Sequence, residues 1–248
     1  MREKELSGKV ALVTGGSRGI GAAIAVSLAD LGADVAFTYS RSKDSADHVA
    51  ATIGSGGRRA LAIRADSADA TEVIGAVDQT FDQLGGLDIL VNCAGINRRA
   101  PIEVVPLEEV DRTLATNTRG VYLAAQAALR HMPEGGRIIS IGSNLADRVP
   151  FSGLTLYTMS KAALLGLTKA LAREVGDRGI TVNLIQPGPT NTDMNPEDGP
   201  TGELARSMSA LGRHASTREI ADAVTFLASA RATNITGTAL TVDGGSNA

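Results

Sequence analysis

A wholly apolar run, Val10-Ala11-Leu12-Val13, passes directly into Thr14-Gly15-Gly16-Ser17-Arg18-Gly19-Ile20-Gly21, and this stretch constrains the chain more than any other. Successive apolar residues suit a strand buried on both faces of a parallel sheet. After Gly21 the apolar residues Ala22, Ala23, Ile24, Val26, Leu28 and Leu31 recur at helical spacing. The stretch therefore reads as strand, glycine turn, helix. Gly15 permits a tight turn, Gly19 lets a phosphate approach the backbone, and Gly21 lets helix and strand pack closely. The free N–H groups of the first helical turn then face a pyrophosphate. Taken alone, a glycine turn of this spacing fits a purely structural turn equally well.

The rest of the chain continues the alternation. Residues 33–38, 60–63, 87–91, 137–141, 180–185 and 238–242 read as strands. Residues 42–53, 70–84, 107–132 (in one or two pieces), 156–176 and 217–228 read as helices. Parallel strands joined by right-handed crossovers, with helices on both faces, are the arrangement such alternation requires. The expected fold class is α/β: a single Rossmann-type, doubly wound parallel sheet spanning residues 1–248. Ligand is expected beyond the carboxyl ends of the strands, where strand order reverses. The one long connection, about 187–212, is rich in Pro and Gly and reads as a substrate loop or lid.

Composition narrows the partners. The balance of 24 basic against 27 acidic residues gives a net charge of −3, with no basic field for nucleic acid or an anionic membrane. There is no apolar run of about 18 residues, and Met1–Glu5 leads into the first strand without the character of a signal peptide. A cytoplasmic protein is expected. The lone cysteine, Cys93, sits in an apolar run and reads as a packed thiol. His48, His131 and His214 fall in no ligand spacing, so no metal is expected.

Two clusters carry chemistry. At the end of the second strand stand Tyr39-Ser40-Arg41-Ser42, where a carboxylate would hold the ribose hydroxyls of NAD and repel a 2′-phosphate. Two hydroxyls and Arg41, with Arg18 from the glycine turn, suit a phosphate clamp instead, so NADP(H) is the expected cofactor. Two solvated surface arginines are the plainer alternative. Tyr157 and Lys161 stand four apart in a helical segment and share a face. A phenol titrates near pH ~10, and an adjacent ammonium together with a nicotinamide cation would lower that value toward neutrality.

Several motifs in order resemble the short-chain dehydrogenase/reductase family: Thr14-Gly15 through Gly21, Asp66, Asn92-Cys93-Ala94-Gly95, Asn117, Ser143, Tyr157 with Lys161, and Pro187-Gly188 with Thr190 and Thr192. The likeness runs over nearly the whole chain. It implies that Tyr157 is the general acid of carbonyl reduction and the base of the reverse reaction, and that Ser143 holds the carbonyl oxygen. Lys161 would hold the nicotinamide ribose and tune Tyr157, and Asn117 would anchor a water relaying protons to Lys161. For the cofactor it implies Gly15, Ser17, Arg18, Gly19, Ile20 and Gly21 at the pyrophosphate. Tyr39, Ser40, Arg41 and Ser42 would lie at the 2′-phosphate, and Asp66, Ser67, Asn92, Ala94 and Gly95 along the adenosine. Tyr157, Lys161, Ile185, Pro187, Gly188, Thr190 and Thr192 would lie at the nicotinamide end. It also implies a homotetramer built on the helices at 107–132 and 156–176 and the last strand.

The nearest likeness is to 3-oxoacyl-carrier-protein reductases and the ketoreductases that resemble them. Glu134 stands where an acidic carrier protein would want a basic patch, which favours a small free ketone or 3-oxo ester as substrate over a carrier-bound acyl chain. Ser143, Asn144, Leu145, Leu154, Tyr157 and Met194 are the expected substrate contacts, with Pro187 and Met208 adding apolar wall and Asn191 polarity. The segment from Ser143 to Tyr157 is about one residue longer than the common family spacing, so its loop geometry is expected to differ. A nucleotide-binding or sensory protein without turnover is the reading from a different class.

Overall fold

The structure, a computed structural model, describes residues 4–248; residues 1–3 of the leading Met1–Glu5 stretch lie outside the described residues. In chain order the elements are β1 (Val10–Thr14), α1 (Gly19–Asp30), β2 (Asp34–Tyr39), α2 (Lys43–Ser55), β3 (Ala60–Arg64), α3 (Ala70–Leu84) and β4 (Ile89–Asn92). Then follow α4 (Leu107–Leu114), α5 (Gly120–Ala128), β5 (Arg137–Ile141), α6 (Thr155–Glu174), β6 (Thr181–Pro187), α7 (Gly202–Met208), α8 (Thr217–Ala228) and β7 (Ala239–Val242). The strands form one sheet in the order β3-β2-β1-β4-β5-β6-β7, and every pairing is parallel.

The inner strands are buried from both sides, which is why they read as near-continuous apolar runs, while the edge strands β3 and β7 are only partly covered. Within β1, Ala11 and Val13 face a core shared with α1, α2 and α8, among them Ile24, Leu28, Ile53, Val224 and Leu227. Val10 and Leu12 face the other, with Val77 of α3, Ala124 and Ala128 of α5 and Leu171 of α6. The period-two alternation of side chains thus decides which layer each residue joins. The alanines of α5 are spent on this chain's own core, whereas Ala163 and Gly166 of α6 are exposed.

The helical stretch 107–132 falls in two pieces, and two details add to the sequence expectation. The break is a π-helical segment, Ala115–Arg119, and the second helix ends at Ala128. Such wide turns concentrate at functional sites, and this one carries Asn117. The segment expected to be a loop, 187–212, contains the short helix α7, whose Glu203-Leu204-Ala205-Arg206 are ordinary helix formers hidden among prolines and glycines. Among the described residues no helix is long and apolar enough to cross a membrane.

Candidate active site

Strand order reverses between β1 and β4, where Val13 pairs with Val91 and Thr14 with Asn92. Beyond these strand ends opens a cleft of about 820 Å³. Its floor is the glycine turn, held by neighbouring strands: Gly15 N–H donates to Thr38 Oγ1 at 2.9 Å and Gly16 N–H to the Thr38 carbonyl at 2.9 Å. Thr14 Oγ1 accepts from the N–H groups of Cys93 and Ala94 at 3.1 and 3.2 Å. Gly15 has φ +67°, which glycine adopts freely. At Gly21 the constraint is space, since a Cβ would lie 2.2 Å from the Gly15 carbonyl oxygen. Gly21→Ala should therefore push α1 off the turn and cost about 2 kcal/mol or more, several degrees of Tm by thermal unfolding for a chain of this size. An unchanged Tm would show that the turn yields freely.

The start of α1 is left open for an anion. Its N-cap is Arg18, whose side chain makes no cap, and its first turn holds no acidic residue. The orphan N–H groups of that turn are therefore available to a ligand. Ser17, Arg18, Gly19, Ile20 and Gly21 all line the cleft. So do Tyr39, Ser40, Arg41 and Ser42 at the end of β2, and Asp66 and Ser67 after β3. Arg41 has no carboxylate within ion-pair distance among the described residues. Arg18 instead reaches Asp193 across the cleft, 3.8 Å between charged atoms with both side chains largely exposed. A pair of that kind contributes little, so a phosphate can displace it. Asp66 is positioned by Arg112 at 3.3 Å and by the Ala68 N–H at 3.0 Å.

Tyr157, Lys161 and Ser143 meet at the inner end of the cleft. Lys161 is 4% exposed, and its Nζ donates to the Ile141 carbonyl at 2.8 Å. Burial brings its pKa down to about 8. Gly95 leaves room for it, since a Cβ there would sit 3.3 Å from Nζ. The Tyr157 phenol lies beside the Ser143 hydroxyl; burial holds its pKa above the ordinary 10, and the bond with Ser143 works in the opposite direction. In the cofactor-free protein desolvation dominates; the lowering expected from Lys161 together with a nicotinamide cation belongs to the loaded site. Ser143 Oγ accepts from the Leu145 N–H at 3.2 Å, which leaves its O–H to donate. Cys93 also lines the cleft, and burial pushes its thiol up to about 12, leaving it inert as a nucleophile.

Asn117 stands behind the cleft, fully buried. Its amide exchanges two bonds with the Ile96 backbone, both 2.9 Å, and donates to Ser160 Oγ at 2.9 Å. Ser160 in turn donates to the Tyr157 carbonyl at 2.7 Å. The side chain therefore ties the π segment to the loop after β4 and to α6. Asn92 is likewise buried behind the strand ends, its Nδ2 3.4 Å from Ser140 Oγ, and not on the cleft wall. The Ile185 side chain is buried in the core. Ala94, Gly95, Pro187, Gly188, Thr190 and Thr192 do line the cleft.

On the substrate side, Leu145, Leu154, Pro187, Met194 and Met208 form an apolar wall. Asn144 lines it too, but its amide is turned to Asp243 Oδ2 and Asn247 Oδ1 at 3.3 and 3.5 Å, and its carbonyl accepts from Asn247 at 2.7 Å. Arg148 reaches the Ser246 carbonyl at 3.0 Å. The long segment after Ser143 is thus clasped by the C-terminal residues, and Asn144 holds that clasp where a substrate contact was expected. Asn191 is not on the wall, its Oδ1 accepting from the Glu197 N–H at 3.3 Å. Asn97, Arg99, Phe151, Asp193 and Asn247 line the cleft without a local sequence signal. Among the described residues no cluster of His, Cys, Asp and Glu could hold a metal.

A doubly wound sheet with an anion-ready glycine turn and a Ser-Tyr-Lys group at one cleft defines a dinucleotide-binding oxidoreductase fold. Comparison with known proteins narrows the class. Residues 15–247 match a family model described as enoyl-(acyl carrier protein) reductase. The chain is 54% identical to a short-chain dehydrogenase of Burkholderia cenocepacia solved in complex with NADP, with a TM-score of 0.98 over 98% of this chain and 100% of that one. It is 44% identical over 238 residues to the cyclic-di-GMP-binding biofilm dispersal mediator protein of Escherichia coli, covering 96% of this chain and 97% of that protein. The versicolorin reductase of Emericella nidulans is 41% identical over 253 residues, covering 97% and 96%. This chain belongs to the short-chain dehydrogenase/reductase family of oxidoreductases.

Proposed function

We propose that this chain is an NADPH-dependent carbonyl reductase that converts a ketone or 3-oxo ester to a secondary alcohol, reversibly. The observation that carries the reading is the pairing of the Tyr157 and Ser143 hydroxyls beside the buried Lys161 ammonium at the inner end of the cleft. The first-turn N–H groups of α1 would hold the pyrophosphate, Ser40, Arg41 and Arg18 the 2′-phosphate, and Asp66 the adenine. Lys161 keeps donors beyond the one spent on Ile141 for the nicotinamide ribose. When bound, the cofactor supplies the hydride. Tyr157, its phenol held protonated by burial, gives the proton to the carbonyl oxygen. Ser143 would turn its O–H from the phenol to the same oxygen as negative charge builds there. Asn117 and Ser160 fix the carbonyl end of Tyr157, and residues 187–212 cover the substrate wall. Glu134 is exposed, which favours a free ketone over one presented by an acidic carrier.

Arg41→Ala should raise the Kd for NADPH about tenfold, the loss of one charge-assisted hydrogen bond at an exposed position, and leave NADH binding unchanged. Titration of cofactor fluorescence measures both, and equal weakening of the two would remove the phosphate assignment.

Likeness to the Escherichia coli cyclic-di-GMP-binding protein favours a second reading, a nucleotide sensor on the same fold. Purified protein with NADPH and a panel of ketones separates the two. Falling NADPH absorbance supports the reductase; tight NADPH binding with no carbonyl turned over supports the sensor.

A further inference from the structure

Two consecutive arginines near the mouth of the substrate side are placed differently. Arg98 is paired with Glu109 at 3.2 Å. Arg99 has no carboxylate within ion-pair distance among the described residues, yet its side chain is held at several points. Its guanidinium carbon lies 5.0 Å from the centroid of the Phe151 ring. Its Nε donates to the Ser152 carbonyl at 3.3 Å. Its stem runs over Gly153, where a Cβ would come within 3.2 Å of Arg99 Cγ, and the two loops are joined by Ala100 N–H to the Gly153 carbonyl at 2.9 Å. Gly153 sits at φ +81°, a conformation that disfavours any other residue and so keeps that track open.

The consequence is an exposed planar cation, steered by these contacts, whose two terminal nitrogens have no hydrogen-bond partner among the described residues. Arg99 and Phe151 line the same cleft as Tyr157, with Leu145, Leu154 and Met194. A solvated surface arginine has no need of such anchoring, whereas one that receives a planar anion gains from it, because less side-chain freedom is lost on binding. Resting on the carbonyl-reductase reading, we infer that the substrate is an anionic ketone. Its carboxylate or phosphate is received by the free fork of Arg99, and its apolar body lies along Leu145, Leu154 and Met194 toward the reacting carbonyl. This makes Arg99 the residue that selects oxo acids over their neutral esters.

The test is steady-state kinetics with NADPH on a homologous series of straight-chain oxo acids beginning with levulinate, each beside its methyl ester. Dihydroxyacetone phosphate beside dihydroxyacetone tells phosphate from carboxylate. For wild type, one acid of the series should exceed its ester in kcat/KM, mainly through KM, and the preference should shrink with added salt. In Arg99→Gln the acid-to-ester ratio should fall about tenfold, and Arg99→Lys should restore part of it. An unchanged ratio in Arg99→Gln overturns the inference while leaving the reductase reading intact. So does an equal loss of NADPH affinity, which would assign the arginine to the cofactor. If neither acids nor esters turn over although NADPH binds, reduction of a neutral ketone from the wider panel overturns the inference alone, and reduction of none fails the reductase reading instead. Calorimetric binding of the same acids to the NADPH-loaded protein then decides for Arg99: weaker binding in the Gln variant upholds its role, and equal binding removes it.

Discussion

Tyr157→Phe should lower kcat for ketone reduction by about 10²- to 10⁴-fold, the span of a lost general acid, while NADPH binding persists. The substitution removes one oxygen from a half-buried ring and leaves its packing in place. The backbone carbonyl of residue 157, which accepts from Ser160, is untouched, so α6 keeps its position. Ser143 still donates to the carbonyl oxygen, but no proton is at hand to complete the alcohol. Because burial raises the Tyr157 pKa above 10, the phenol is protonated throughout the neutral range, and reduction should show no alkaline limb assignable to it below about pH 10. The measurement is the fall of NADPH absorbance on a ketone that wild type accepts, beside a binding titration on the same preparation. Near-normal turnover in the Phe variant would place the proton donor elsewhere.

The parts of this site that the sequence made legible are those whose signal is local. The glycine turn lies next to its own strand and helix, and Tyr157 and Lys161 are neighbours on one helix, so spacing alone places them. The five inner strands are visible for the same reason, since burial on both faces demands apolar runs, whereas the edge strands β3 and β7 are only partly covered. What could not be read depends on residues far apart in the chain. Asn144 has the composition of a substrate contact, yet its amide is committed to Asp243 and Asn247, about a hundred positions away. Asn117 shows no pattern that would reveal its bonds to Ile96 and Ser160, and the π segment that carries it has the composition of an ordinary helix. The stacking of Arg99 on Phe151 joins two loops that neither periodicity nor turn chemistry relates. The desolvation that raises the Tyr157 pKa in the cofactor-free protein is a property of the folded cleft, whereas the nearby ammonium is visible in the sequence.

Lys161→Met should abolish most of the activity and at the same time make the cofactor-free protein more stable at neutral pH. Among the described residues the buried ammonium has only the Ile141 carbonyl as partner, and its fall from 10.5 to about 8 marks the cost of keeping it charged there, about 3 kcal/mol. A methionine fills similar volume without charge but leaves the Ile141 carbonyl unpaired, which takes back about 1–2 kcal/mol. The net gain, about 1–2 kcal/mol, is a few degrees of Tm for a chain of this size. A folded pKa below the unfolded one means that the penalty is complete below about pH 8 and dwindles toward 10.5, so the advantage of the Met variant should shrink across that window. Saturating NADPH should reverse the order, because the ribose hydroxyls give wild-type Lys161 the acceptors it lacks, and only wild type gains that part of the binding energy. Thermal unfolding at pH 7 with and without NADPH, repeated at pH 10 without it, reads all these effects. If the free Met variant melts below wild type at pH 7, Lys161 is a structural cation and not a charge held at the fold's expense for the cofactor.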